Sequence, residues 1–175
     1  KVEKTSTGVA VIVVTEGENR IIIDSGANAC VTKEDIDKFL EKAKAQGKIK
    51  HIGFSFHDSI DVFKKIIDEY NDFEFCQIQY NYIDEDGEKR TQNPGWQGLK
   101  YAGQKEIGVI IMEPLRGGLL ANPPAGIRDI FASADVPRLP AEWALRYIWE
   151  NQEVVTALSG MNDETQVMVN CAVAS

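Results

Sequence analysis

The sequence predicts an α/β fold of four consecutive strand–helix units preceded by a β-hairpin. Three observations predict it. Four short apolar runs recur between residues 51 and 158, each too short for a helix and each followed by polar, Gly or Pro residues. Stretches with apolar residues at i, i+3 and i+4 lie between and after them. Two β-branched runs separated by a turn-forming segment open the chain.

The opening runs are Gly8 to Val14 and Arg20 to Asp24. Between them, Thr15 to Asn19 includes a Gly and an Asn that suit a turn, so the pair forms a hairpin. Ser25 to Asn28 breaks the pattern. Thr32 is a good N-cap, followed by Glu34 and Asp35 at the positive end of a helix dipole. Ile36, Phe39, Leu40 and Ala43 give that helix its apolar face, and Gly47 ends it after Gln46. The later strands are expected at His51 to Phe56, Phe75 to Tyr80, Ile107 to Met112 and Val154 to Leu158. Helices are expected at Ser59 to Tyr70, Gly95 to Lys105, Leu139 to Glu150 and Asn162 to Ala174, with a long irregular connection between the third and fourth of these strands.

Strands joined by helices must run parallel, because a return in the same direction needs a crossover. Four units make either a small open doubly wound sheet or half of a (β/α)8 barrel, and periodicity alone does not choose. A half barrel leaves strand edges and an apolar interior uncovered, which predicts a homo-oligomer or a covering element.

Composition narrows the function. With 43% hydrophobic and 26% charged residues the chain is neither disordered nor fibrous, and no apolar run reaches the ~18 residues of a membrane span, so no membrane association is expected. A net charge of −8 argues against nucleic acid, whose binding draws on clustered Lys and Arg. Lys42, Lys44, Lys48 and Lys50 form the only basic stretch and read as a solvated helix end. Cys30, Cys76 and Cys171 are odd in number and widely spaced, as reduced cytoplasmic thiols are; with only His51 and His57 beside them, no metal site is expected. Starting at Lys1 without a signal segment, the chain reads as processed, engineered or a fragment.

GxGxxG, GxxxxGK[ST] and GxSxG are absent, so a nucleotide would have to bind another way. In barrels ligands bind at the carboxyl ends of strands, which makes Ser55 to Asp58, Gln77 to Asn81, Met112 to Gly118 and Ser159 to Asn162 the informative segments.

The segments Gly47 to His57, Gln77 to Asn81, Met112 to Gly118, Glu142 to Arg146 and Leu158 to Met161, in order and spacing, resemble barrel strands five to eight of the aldo-keto reductases, over about Lys38 to Ser175. They are most similar to the branch whose members often carry an iron–sulfur tail, although no four-cysteine cluster occurs here. The resemblance implies an oxidoreductase-type platform for NAD or NADP. Ser55 and Gln77 would hold the nicotinamide carboxamide, Met112 would pack on the ring, and Leu115, Arg116, Gly117 and Gly118 would follow the pyrophosphate. Gln166 and Asn170 match positions used around the adenosine, and Ser159, Gly160 and Met161 complete the cofactor-binding set that the resemblance implies. Val169 stands where relatives carry an acid for the adenine amine, so the dinucleotide is expected to bind weakly or no longer at all, and Gly160 stands where some carry a Lys for the 2′-phosphate, so no strong preference for the phosphorylated cofactor is implied. The family's catalytic Asp, Tyr, Lys and His come from its first four strands, so the resemblance implies no catalytic residue here and no autonomous catalysis.

The segments Thr7 to Ile12, Gly17 to Ile23 and Gly26 to Ala29 resemble the lid-side strands of ribokinase-type sugar kinases, over residues 5 to about 36. The expected organisation is thus a hairpin segment over residues 1–36 and a half barrel over 37–175, joined in a chimaeric, designed or rearranged chain. Two alternatives stand beside the oxidoreductase reading: a non-catalytic chimaeric or designed fold that self-associates, and a sugar kinase fragment. Among the remaining residues, His57 reads as a polar loop residue and Glu113 as cofactor-side structure. Trp143 and Trp149 read as helix packing and Trp96 as partly exposed. Asp84 to Arg90 reads first as a solvated loop and only second as a weak calcium site.

Overall fold

A computed structural model describes residues 9–15, 18–24, 26–84 and 93–175. The chain divides into two compact units, Lys1–Lys50 and His51–Ser175. The expected division after residue 36 falls inside a helix of the first unit.

In the first unit, β1 (Val9–Thr15) and β2 (Glu18–Asp24) pair antiparallel, with Val9 opposite Asp24 and Thr15 opposite Glu18. They form a two-stranded sheet of their own. Pairing runs further into the turn than the sequence suggests, since Thr15, Glu18 and Asn19 all join the ladder. A 3-10 turn (Gly26–Cys30) leads to α1 (Lys33–Ala45). The Asp35 N–H donates to Thr32 Oγ1 at 3.2 Å and the Thr32 N–H donates to Asp35 Oδ2 at 3.0 Å, the reciprocal capping box that stops this helix fraying at its start. The same Thr32 hydrogen bonds hold the Asp35 carboxyl below its ordinary range. Gly47 takes a φ of 64° just beyond the C-cap, and Lys42, Lys44, Lys48 and Lys50 are exposed around that end.

The second unit alternates strand and helix: β3 (Gly53–Ser55), α2 (Ile60–Glu69), β4 (Phe75–Gln79), α3 (Gly95–Gln104) and β5 (Gly108–Met112), then α4 (Ala125–Ala132), α5 (Pro140–Trp149), β6 (Val154–Ala157) and α6 (Glu164–Ala174). The four strands are parallel in the order β3-β4-β5-β6, as the crossover argument requires. β3 is shorter than expected because only Gly53 to Ser55 have full partners in β4, while Phe56 N–H still donates to the Gln77 carbonyl at 3.0 Å. The connection after β5 is more ordered than expected. It contains two short 3-10 pieces within Arg116–Ala121, separated by a kink at the non-helical Gly117 and Gly118, and α4, which has no fully buried residue and no side-chain cap bond to mark its start.

Alternation along the strands decides the packing. Cys76, Ile78, Val109 and Ile111 are fully buried and cluster with Phe63 and Ile67 of α2, Leu99 and Ala102 of α3, and Leu145 and Ile148 of α5. Each large apolar side chain so buried contributes roughly 1.5–3 kcal/mol. Phe54, in register with Cys76, joins this side with its ring 5.7 Å from Phe63 and 4.6 Å from Phe73. The intervening residues, including Gln77, Ile110 and Met112, are only half-buried and lie on the opposite face. Helices thus cover one face of the sheet; in register across the other run Ser55, Gln77, Ile110 and Thr156. No helix among the described residues is long and apolar enough to cross a membrane.

Candidate functional site

The carboxyl end of β5 opens into a turn with unusual backbone geometry. Glu113 and Arg116 adopt φ of 54° and 47°, conformations that cost a non-glycine residue about 1–2 kcal/mol. Gly117 and Gly118 follow at 61° and 93°. This left-handed series curls the chain back after Pro114, closed by Arg116 N–H to the Glu113 carbonyl (3.0 Å) and Gly118 N–H to the Leu115 carbonyl (2.9 Å).

The curl forms one wall of a cleft of about 550 Å³. Its other walls come from the start of α5, the segment after β6, and the first turns of α6. Leu115, Gly117 and Gly118 line it together with Ser159, Gly160, Gln166 and Asn170, so seven residues that the sequence reading singled out converge there. Asn170 Nδ2 donates to Ser159 Oγ at 2.9 Å, the Asn162 N–H donates to Gln166 Oε1 at 3.1 Å, and the Gln166 N–H donates to Asp163 Oδ1 at 2.8 Å. These bonds pin the loop after β6 to the start of α6. A Cβ placed on Gly118 or Gly160 would meet nothing within 4 Å, so backbone borders open space at both positions. The cleft's size and its mix of amide, hydroxyl and bare backbone suit a small-molecule ligand. No Lys or Arg is among its described lining residues.

Ser55, Gln77 and Met112 form a second group, on the sheet face away from the helices. Ser55 pairs in register with Gln77, and Ser55 Oγ lies 3.9 Å from Met112 Sδ. Two expected residues join neither group. Met161 is 41% exposed and does not line the cleft. The Arg116 side chain is turned to Asp84, with Nε 3.3 Å from Oδ1, and the Asp84 side chain is only 7% exposed. Asp84 is therefore part of the loop's internal bonding, where the sequence suggests a solvated position; residues 85–90 of that acidic stretch lie outside the described residues. So do residues 5–8, 16–17 and 25 of the sugar-kinase-like stretch.

Sequence reasoning names Asn81 only as the end of the Gln77 to Asn81 segment, without a role, and does not name Thr165. Asn81 is wholly buried and bonded to both Asp84 and the Glu113 carbonyl. Thr165 lines the cleft beside Gln166, Val169 and Asn170, a one-face helical spacing that was readable in the sequence. His57 is an exposed residue just beyond β3, and His51 engages the Glu74 carboxylate. Trp96 is 49% exposed, whereas Trp143 stacks on Phe131 with centroids 5.4 Å apart, beneath Arg138. No cluster of three or more His, Cys, Asp or Glu side chains suited to a metal occurs among the described residues.

The model of the aldo/keto reductase family matches residues 27–175. Among solved structures, the holo and apo forms of aldo-keto reductase AKR11C1 from Bacillus halodurans are each similar to the chain, with a TM-score of 0.62 and 21% identity over 81% of this chain and 50% of theirs. The chain thus spans about half the length of those proteins, and its four parallel strands correspond to part of a (β/α)8 barrel. No curated protein matches it.

Proposed function

The chain belongs to the aldo/keto reductase family, and from that premise we propose that it is an oxidoreductase-type platform that holds NAD or NADP weakly and does not catalyse by itself. The observation that carries the reading is the single cleft shared by the Leu115–Gly118 turn and the Ser159, Gly160, Gln166 and Asn170 side of α6. Leu115, Gly117 and Gly118 offer close backbone approach to a pyrophosphate, and Ser159, Gln166 and Asn170 offer polar partners to an adenosine. Ser55 and Gln77 would fix a nicotinamide carboxamide, with Met112 as the soft side chain against its ring, a role supported by the register of Ser55 with Gln77 and the Ser55–Met112 contact. The dinucleotide, when bound, supplies a hydride. Weak binding follows from Arg116 being committed to Asp84 and from the absence of Lys or Arg among the described lining residues, since a pyrophosphate then meets dipoles without a full positive charge.

Titrating NADPH into the protein by calorimetry tests this. Saturable binding with a Kd below about 1 mM supports the platform, and no binding at that concentration refutes it. Reduction of a generic aldehyde at a whole-barrel rate would refute the absence of autonomous catalysis.

Self-association is a second reading, favoured by the open order of the sheet: among the described residues β3 and β6 each pair on one side only, and such edges invite strand pairing with another copy. Sedimentation giving a concentration-independent monomer would count against it. A cytoplasmic setting is consistent with three cysteines that stand free as thiols. The same proposal takes the chain as a chimaeric or designed join of a hairpin segment and a half barrel, which the two compact units Lys1–Lys50 and His51–Ser175 support only with the boundary moved past α1. Of the sugar-kinase alternative, the structure offers the antiparallel β1–β2 pair alone; ATP turnover with ribose would be needed to revive it.

A further inference from the structure

The turn that forms one wall of the cleft needs an explanation. Two of its residues, Glu113 and Arg116, are non-glycines in left-handed conformations, and such strain persists only where neighbours over-determine it. Both strained residues are tied to the same point outside the turn.

That point is Asn81, just beyond β4 and wholly buried. Its Nδ2 donates to the Glu113 carbonyl at 3.1 Å and to Asp84 Oδ2 at 2.9 Å. Its Oδ1 accepts from the Ile83 N–H and the Asp84 N–H, both at 3.1 Å. Two donated and two accepted bonds fill the carboxamide's capacity and fix which end is nitrogen. Asp84, oriented by that carboxamide, holds Arg116 through its other oxygen. One side chain therefore grips the first left-handed residue directly and the second through a carboxylate.

We propose that Asn81 is the positioning residue of this cleft: through Glu113 and the Asp84–Arg116 pair it holds the turn in the shape that presents Gly117 and Gly118 to a ligand. The inference rests on the cofactor reading for the identity of that ligand, and on the hydrogen bonds alone for the shape of the turn. It also explains why Arg116 does not line the cleft, because its charge is used to close the clamp.

The test is Asn81→Asp in the full chain. The substitution keeps the size and the two accepted bonds but removes both donors and sets a carboxylate against Asp84. Hydrogen exchange is read at Arg116, Gly118 and Leu120, whose amides bond inside the turn, and in β4 and β5 as internal reference. The expected result is faster exchange at those three amides with β4 and β5 unchanged, and NADPH affinity about tenfold weaker, as loss of a buried hydrogen bond implies. Asp84→Asn is the second variant, should the first fail to fold. It keeps an acceptor for Asn81 but removes the charge that holds Arg116, and it should accelerate exchange at the same amides. Unchanged exchange in the turn, or acceleration spread equally over β4 and β5, overturns the proposal. If the unsubstituted protein fails to bind NADPH while the exchange result holds, the cofactor reading falls and the positioning role stands.

Discussion

Gly118→Ala isolates backbone geometry from packing. Gly118 has φ 93°, and a Cβ there would meet nothing within 4 Å, so the substitution introduces no clash and its whole effect is the strain of a left-handed non-glycine. That strain is worth about 1–2 kcal/mol, or roughly 5- to 30-fold in an equilibrium constant. It can emerge in two ways. If the turn keeps its shape, the folded state carries the strain and Tm falls by about 2–4 °C per kcal/mol in a chain of this size. If the turn relaxes instead, Tm holds and NADPH affinity falls by the corresponding factor. Differential scanning calorimetry and NADPH titration on the same samples read both. Gly160→Ala is the control, because Gly160 borders the same open space without a left-handed φ, and it should leave Tm unchanged. A Gly118→Ala variant with unaltered Tm and unaltered affinity would refute the reasoning.

Other expectations follow from burial and charge. Lys100 Nζ donates to both Glu153 carboxylate oxygens, at 2.9 and 3.0 Å. Burial pushes that carboxyl up, but the Lys100 hydrogen bond, its own backbone and the Lys100 charge outweigh it and hold it below 4.5. The pair's stabilisation is therefore present above that value and lost as pH falls through the depressed one. Lys100→Met should remove this part of the acid-side decline in urea midpoints; an unchanged slope would refute the assignment. Burial raises the Cys76 thiol to about 12, whereas Cys30 and Cys171 are exposed, so a thiol reagent should label the latter two in the folded protein and Cys76 only on unfolding. Phe63→Ala, at a fully buried site between the rings of Phe54 and Phe56, should cost about 3–5 kcal/mol in urea unfolding, and a loss under 1 kcal/mol would contradict the core described.

Much of this molecule was legible in the chain. The helix starts at Thr32 and Ser59 carry their own oxygen acceptors, the strands stand out as short apolar runs, and the opening hairpin follows from β-branched residues around a turn. These signals are local, decided by neighbours within about one helical turn or one strand. The order of strands and helices, and hence the parallel sheet, follows from them.

Tertiary structure decided the rest. Periodicity left open whether helices cover one face of the sheet or both, and only the packing of Phe63, Leu99 and Leu145 against Cys76, Ile78 and Ile111 answers it. α4 was not anticipated because no side-chain cap marks its start and none of its residues is fully buried. The site shows the divide most clearly: Gly117 and Gly118 announce a turn, but nothing near Arg116 in sequence says that its charge belongs to Asp84, or that Asn81 grips the carbonyl of Glu113. Those partners lie some thirty residues apart along the chain. They meet because β4 and β5 lie side by side in register, and it is that adjacency, a property of the folded sheet, that ties the turn walling the cleft to a side chain beyond β4.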